Sequence, residues 1–377
     1  MSTTPGAPAV PRRRTKKAFL AARPLTAPAQ TRENGAGDPR DALLELYNLH
    51  DEPPPADRTA FPGVDPWRWQ YFEGIPCPAQ VTIPVDDPAA WRLYPRYRHI
   101  YNKLFICSSQ GIAHAPHGVL PERFPVFSKP IVNLHGMGAG GFVVGSRSEL
   151  EARFTPGHFW MTMFKGRHIS TDVALVRGTP HWWSHTEGRR LSGGTFDYWT
   201  VLGRRLPRLE ADCGRWIRQH LAGFTGIVNF ESVGGAIIEC HLRMSEQWLD
   251  LNGQGWLESV VDLYARGRWP FHGQPRRGYS IVLFRAHGRR YWIDPGIVRA
   301  LRAVPGVSSI QVTFDPRKPP EQHAMPPGGF RLAIVNCWDL AAGLAVRARL
   351  ARAFAVLNEN GDAPANAPSP VETRHTS

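Results

Sequence analysis

The sequence predicts an α+β fold, and three observations carry the prediction. The stretch Gly226–Arg243 alternates apolar and polar residues about a Val-Gly-Gly turn, which is the pattern of a β-hairpin. Pro207 to Leu221 carries apolar residues at helical spacing and ends in Ala-Gly, so it is a separate helix. Gly136-Met-Gly-Ala-Gly-Gly141 follows one strand and leads into another, so the strand-loop-helix order of a parallel dinucleotide fold or a Walker loop is missing.

Taken in order, residues 1–58 form a Pro-, Ala- and charge-rich tail, interrupted only by a short helical pattern at Asp41–Leu49. The first 32 residues hold Arg12, Arg13, Arg14, Lys16, Lys17, Arg23 and Arg32 and no acid, a composition that cannot bury enough apolar surface to order itself. Residues 59–115 are dense in aromatics (Trp67, Trp69, Trp91, Tyr94, Tyr101) and close on a helix from about Pro95 to Ser109, giving a short N-terminal unit. A core is expected over 116–275, with a lid part at about 120–190 and a second part at about 191–275. Its strands are Pro125–Val132, Phe142–Val144, Phe159–Phe164, His168–Val176 and Pro180–Trp183, punctuated by Lys-Gly and Arg-Gly turns. The hairpin follows the helix at 207–221, and Leu257–Ala265 is a further helix. A small α+β extension is expected over 276–357, with strands near 280–285, 290–293, 309–314 and 331–336 and helices near 296–303 and 339–357; the residues from 358 to 377 read as a tail.

Composition narrows the function classes. With 42% hydrophobic residues, 13 Trp and 18 Phe in 377 residues, the chain can build a large core. The five cysteines are scattered with no CxxC pair, so neither a disulfide framework nor a zinc knuckle is indicated, and a reducing cytoplasm fits. No apolar run reaches the roughly 18 residues of a membrane span. The net charge of +13 is concentrated partly in the tail, which could touch nucleic acid or simply be a solvated arm. The basic residues are otherwise nearly all Arg. Each lysine in a structured region therefore invites a specific reason, and a compact charge for phosphate is one.

The hairpin carries the chemistry. Asn229 and Glu231 share one strand face, as do Glu239, His241 and Arg243 across the turn, while Val228, Phe230, Cys240 and Leu242 face the other way. Paired carboxylates suit a hard divalent cation, and Arg offers a forked donor to phosphate oxygens. The same pattern could be the solvated face of an edge hairpin. The glycine loop exposes backbone N–H groups able to cradle phosphates, and Lys129 lies seven residues before it. His181 and His185 have the spacing of a helical metal pair, but their segment reads as strand, which favours an aromatic patch over a zinc site.

In this order the motifs resemble the ATP-grasp superfamily over Tyr101 to about Arg266. Its members carry a helix-borne Lys, a second Lys on a strand before a glycine-rich loop, an adenine hinge strand and a last acidic hairpin ending in Glu-x-Asn-x-Arg. The resemblance implies an ATP-grasp fold, with two α+β subdomains clasping ATP. It places Lys103 and Lys129 on the nucleotide phosphates, Gly136, Gly138, Gly140 and Gly141 in a flap, and Met161 to Phe164 along the adenine edge. His168 falls near the ribose or a second substrate. Glu231 and Glu239 fall on the two metal-binding carboxylates, and Arg243 on the Arg that stabilises the transferred phosphoryl group. His241 replaces the usual Asn; as a nitrogen ligand it would favour Mn²⁺ over Mg²⁺, or it would lie behind the metal or on a phosphate. The unit before Lys103 is shorter than the family's usual N-terminal domain. The implied activity is ATP-dependent ligation of a carboxylate to an amine or other nucleophile, with Arg243 and Lys129 in catalytic roles. The alternatives are a phosphotransferase or a nucleotide sensor on the same fold.

Overall fold

The computed structural model describes residues 60–61, 66–134, 136, 138–191, 195–285, 289–315, 323 and 330–357. The tails, including Asp41–Leu49, lie outside the described residues.

The first sheet contains β1 (His114–Pro116), β2 (Val126–Pro130), β3 (Phe142–Val144) and β4 (His158–Thr162), in the order β1-β4-β2-β3. A short connector then enters a larger sheet through β5 (His168–Val176), β6 (Thr179–Arg190) and β7 (Phe196–Val201). Next come the hairpin strands β8 (Gly226–Val233) and β9 (Ala236–His241), and later β10 (Gly278–Arg285). A small pair, β11 (Tyr291–Trp292) and β14 (Ala355–Val356), brackets β12 (Val307–Val312) and β13 (Phe330–Cys337). The large sheet is antiparallel throughout, in the order β12-β13-β10-β7-β6-β5-β8-β9.

The fold departs from the sequence-based boundaries in two places. The break between the sheets falls at 163–167, not near 190, so β5 and β6 belong with the acidic hairpin. Residues 276–357 are continuous with that sheet through β10, β12 and β13, and are no separate extension. The strand β6 runs on to Arg190 although Ser184–Arg190 is polar, because β5 and β7 pair with it on both sides. The last helix, Leu340–Ala353, stops short of 357 because Phe354 turns extended and Ala355–Val356 pairs with β11.

The helix Pro207–His220 starts with Pro in its first turn, and Glu210 accepts from Leu206 N at 3.0 Å. Its Cys213, Trp216 and Ile217 pack against Val173, Val228 and Phe230, which closes one face of the large sheet. Phe230 is fully buried, a contribution of about 2–3 kcal/mol. On the opposite face the N-terminal aromatics Trp69 and Phe72 and the helix Trp256–Arg266 cover Ala174, Trp182 and Ile227. The polar part of that face, toward β9, is left for the site. Among the described residues no helix is long and apolar enough to cross a membrane.

The β8–β9 turn fixes where the hairpin meets the connector. Gly234 (φ 61°) and Gly235 (φ 94°) take the left-handed conformations of a tight hairpin turn, and Gly234 N donates to Arg167 O at 3.1 Å. A Cβ on Gly234 would lie 2.5 Å from Lys165 O. Gly234→Ala is therefore expected to cost about 1–3 kcal/mol in chemical denaturation, by pushing the hairpin off the connector.

Candidate active site

Each expected site residue has a definite position. Lys103 is the first residue of the helix Lys103–Ser108, whose Asn102 cap accepts from Leu104 N at 3.0 Å; Lys103 N donates to Ile131 O at 2.9 Å, seating the helix at the end of β2. Lys129 lies on β2, and both lysines are 5% exposed. Their ammonium groups meet at Glu239 Oε1, Lys129 at 3.3 Å and Lys103 at 3.9 Å, and Lys129 Nζ also donates to Ile238 O at 2.9 Å. The structure thus brings residues from two sheets and a helix together on one carboxylate. Enclosure alone would raise the Glu239 pKa, but Lys103, Lys129 and the His241 hydrogen bond hold it well below the usual range. Burial depresses Lys129, and Lys103 adds to the effect.

Glu231 lies directly opposite Glu239 across the hairpin. Its Oε2 contacts His168 Nε2, while His168 Nδ1 accepts from Arg190 Nη2 at 3.0 Å, which requires the proton on Nε2. Phe196 and Trp199 hold the His168 ring edge-on, at 5.1 and 5.5 Å. His168 is thus engaged with Glu231 and Arg190.

His241 and Arg243 converge on a residue that sequence reasoning missed. Asp87, 3% exposed, is in the first turn of the helix Asp87–Leu93, which Asp86 caps through Ala89 N at 2.7 Å. Its carboxylate lies 3.0 Å from His241 Nδ1 and 3.1 Å from Arg243 Nη2, and Tyr101 OH donates to it at 3.3 Å. Burial would raise the Asp87 pKa, but Arg243 and His241 drive it far below the ordinary value. Burial lowers and Asp87 raises the His241 pKa; the net effect is upward, which favours imidazolium. With Nε2 3.6 Å from Glu239 Oε2, both ring nitrogens of His241 face carboxylates. The Asp-Asp-Pro sequence at 86–88 signals a helix start, but nothing local marks Asp87 as a partner of residues more than 150 positions away.

Behind the carboxylates is a buried polar row. Asn229 Nδ2 contacts Ser170 Oγ (2.8 Å), Asp172 Oδ1 (3.0 Å) and Ser245 Oγ (3.0 Å), and Ser245 N donates to Asp172 Oδ1. Burial raises the Asp172 carboxyl to a pKa of about 6 against these donors. His185 is also internal, 2.9 Å from Glu210, while His181 is exposed, so the two do not form a metal pair.

The glycine loop joins β2 to β3. Gly136, Gly138 and Gly140 have φ of 68°, 64° and 77°, and successive turns run from Ala139 N to Gly136 O and from Gly141 N to Gly138 O. Gly140 and Gly141 rest on Pro130 and Phe127, while Gly136 and Gly138 are in open space. Met161 and Phe164 join Phe127, Phe159 and Ile238 in an apolar cluster beside the lysines, at the connector between the sheets.

Two antiparallel sheets joined by this connector, with Lys129 of the first and the helix-borne Lys103 meeting an acidic hairpin of the second, make an ATP-grasp fold. The chain is similar to the crystal structure of L-amino acid ligase from Bacillus licheniformis at 14% identity and a TM-score of 0.54, over 78% of this chain and 84% of that one. It is also similar to N5-carboxyaminoimidazole ribonucleotide synthetase from Thermus thermophilus, at 16% identity and a TM-score of 0.47, over 71% and 79% of the two chains. No protein-family model and no curated protein matches the sequence. At 14% identity the likeness to the first of these shows the fold alone.

Proposed function

We propose that the protein is an ATP-dependent ligase that activates a substrate carboxylate as an acyl phosphate and couples it to an amine or other nucleophile. The observation that carries this reading is the convergence of two buried lysines on Glu239, opposite Glu231, in an ATP-grasp frame. A substrate carboxylate oxygen bonds to the γ-phosphorus of ATP as the bond to the β-phosphate oxygen breaks and ADP leaves. The nucleophile then bonds to the acyl carbon, phosphate departs and the amine gives up a proton.

In this reading Lys103 and Lys129 hold the nucleotide phosphates, and Arg243, oriented by Asp87, stabilises the transferring phosphoryl group. Gly136, Gly138, Gly140 and Gly141 form a flap that excludes water, and Met161 and Phe164 line an apolar slot for the base. Glu231 and Glu239 fit Mg²⁺ as a pair of hard oxygen donors. Among the described residues no group of three or more His, Cys, Asp and Glu is placed to hold a metal ion, so in this reading phosphate and water oxygens would have to supply the ion's other ligands. Held by Glu231 and Glu239, such an ion would supply charge neutralisation at the phosphates. His241, with both nitrogens facing carboxylates, acts as a positioning residue for Glu239 and not as a metal ligand. The five cysteines are buried and none is in a disulfide among the described residues, which supports a reducing, cytoplasmic location.

Lys129→Ala is expected to weaken ATP binding about 10- to 100-fold by calorimetry, because a buried charge on the phosphates is lost. Unchanged affinity would remove Lys129 from the site. The activity itself is tested by ADP release over a matrix of carboxylates and amines with Mg²⁺.

A further inference from the structure

The strand that carries Glu239 and His241 cannot be regular. Ile237, Cys240 and Leu242 all pack into the core with Cys213, Trp216 and Ile217, and the three-residue step from 237 to 240 breaks the period of two that a strand imposes. The register shows where the break falls. Val233 pairs with Ala236 and Ser232 with Ile237, but Glu231 pairs with Glu239, so Ile238 is an extra residue in β9. Directly opposite residues share a face. Without the extra residue Glu231 would meet Ile238 and Phe230 would meet Glu239, which would turn Glu239 onto the core face of Phe230. The bulge therefore sets Glu239 beside Glu231 and His241 opposite Asn229.

A bulge leaves backbone groups out of the ladder. Among the described residues β9 is the last strand of the large sheet, so no strand lies on its outer side to take them. Gln110 takes them instead. Its Oε1 accepts from Ile237 N at 2.9 Å and its Nε2 donates to Ile237 O at 2.8 Å, so one side-chain amide pairs with a strand residue as a neighbouring strand would. The same Nε2 donates to Ile106 O at 2.9 Å, and Gln110 N donates to Cys107 O at 3.1 Å. Both of these carbonyls belong to the helix Lys103–Ser108. Gln110 thus forms a strut between the helix that begins at Lys103 and the strand that carries Glu239, whose charged groups lie 3.9 Å apart. Lys129 Nζ, at 2.9 Å from Ile238 O, holds the extra residue itself.

We propose that Gln110 is a positioning residue: it locks the β9 bulge and so fixes Glu239 on the face of Glu231 and at a set distance from Lys103. The consequence for metal and nucleotide rests on the ligase reading, but the lock itself is measurable without it. Gln110→Ala removes the amide. Gln110→Met also removes it while keeping the length of the stem, which separates lost hydrogen bonds from lost packing. Ser109→Ala, which drops a hydrogen bond from Trp216 and leaves β9 untouched, is the control.

Amide exchange at Ile237, and ATP affinity with Mg²⁺ and with EDTA, are measured on the folded full-length proteins. Wild type and S109A are expected to protect the Ile237 amide, and both Gln110 variants to exchange it about tenfold or more faster. The gain in ATP affinity that Mg²⁺ brings is expected to fall about tenfold in both, with affinity in EDTA staying within about twofold of wild type. Unchanged exchange at Ile237, or faster exchange in Q110A alone, would overturn the proposal. So would a Mg²⁺-dependent gain that survives in both variants, or an equal loss of affinity with and without Mg²⁺. A wild type that binds no ATP would sink the ligase reading alone, and exchange at Ile237 would still decide the lock.

Discussion

Glu239→Gln is expected to abolish ATP-dependent turnover, lowering ADP release by on the order of 10³-fold. The change is nearly isosteric, so its effect is electrostatic. Glu239 is the anion on which Lys103 and Lys129 converge, and it faces His241 Nε2 and, across the hairpin, Glu231. Without that charge one of the two carboxylates proposed to hold Mg²⁺ becomes a neutral amide, and two buried ammonium groups are left facing each other. The second consequence should appear in stability: removing one partner of a buried ionic group costs about 3 kcal/mol. Turnover retained in a folded E239Q protein would mean that the phosphoryl chemistry lies elsewhere.

The second large effect concerns Asp87. Asp87→Asn removes the carboxylate between His241 and Arg243 and is expected to destabilise the fold by about 3–5 kcal/mol in denaturant titration. It should also lower turnover, because Arg243 loses its orientation. The pH dependence separates the two partners. The folded His241 pKa is raised, so its contribution is fully present below the unfolded value of about 6.5 and is lost as pH rises through the folded value. The folded Asp87 pKa is depressed, so its contribution is present above the unfolded value of about 4 and is lost as pH falls toward the folded one. The wild type should therefore lose stability both on acidification below about 4 and on alkalinisation above about 6.5, and D87N should flatten both limbs. Limbs unchanged in the variant would show that Asp87 is not the group that holds His241 charged.

Much of this site was legible because its signals are local. A two-residue glycine turn between alternating strands fixes which side chains of each strand share a face, but the pairing of Glu231 with Glu239 also needs the register shift between Glu231 and Ser232, which period two alone does not give. The strand His168–Val176 and the helix at Pro207 have clear periodicity and punctuation, and their observed bounds are close to those expected. What was not legible depends on distant partners. The strand Phe196–Val201 and the polar half of β6 owe their conformation to neighbours on both sides. Asp87 reads as part of a helix start, and its role appears only when β9 is packed against it. His241 was legible as a departure from the expected Asn, but its engagement on both ring nitrogens was not. The division of the chain was obscured for the same reason: β10, β12 and β13 extend a sheet begun far earlier in the chain.

The central claim, that a carboxylate is activated as an acyl phosphate, is tested most directly by trapping. The protein is incubated with ATP, Mg²⁺, pooled amino acids and small carboxylic acids, and hydroxylamine as the nucleophile. The account predicts hydroxamate formed in step with ADP, dependent on both ATP and the carboxylate pool and absent with E239Q. ADP released without hydroxamate, together with a stable phosphorylated product, would contradict it and identify a phosphotransferase.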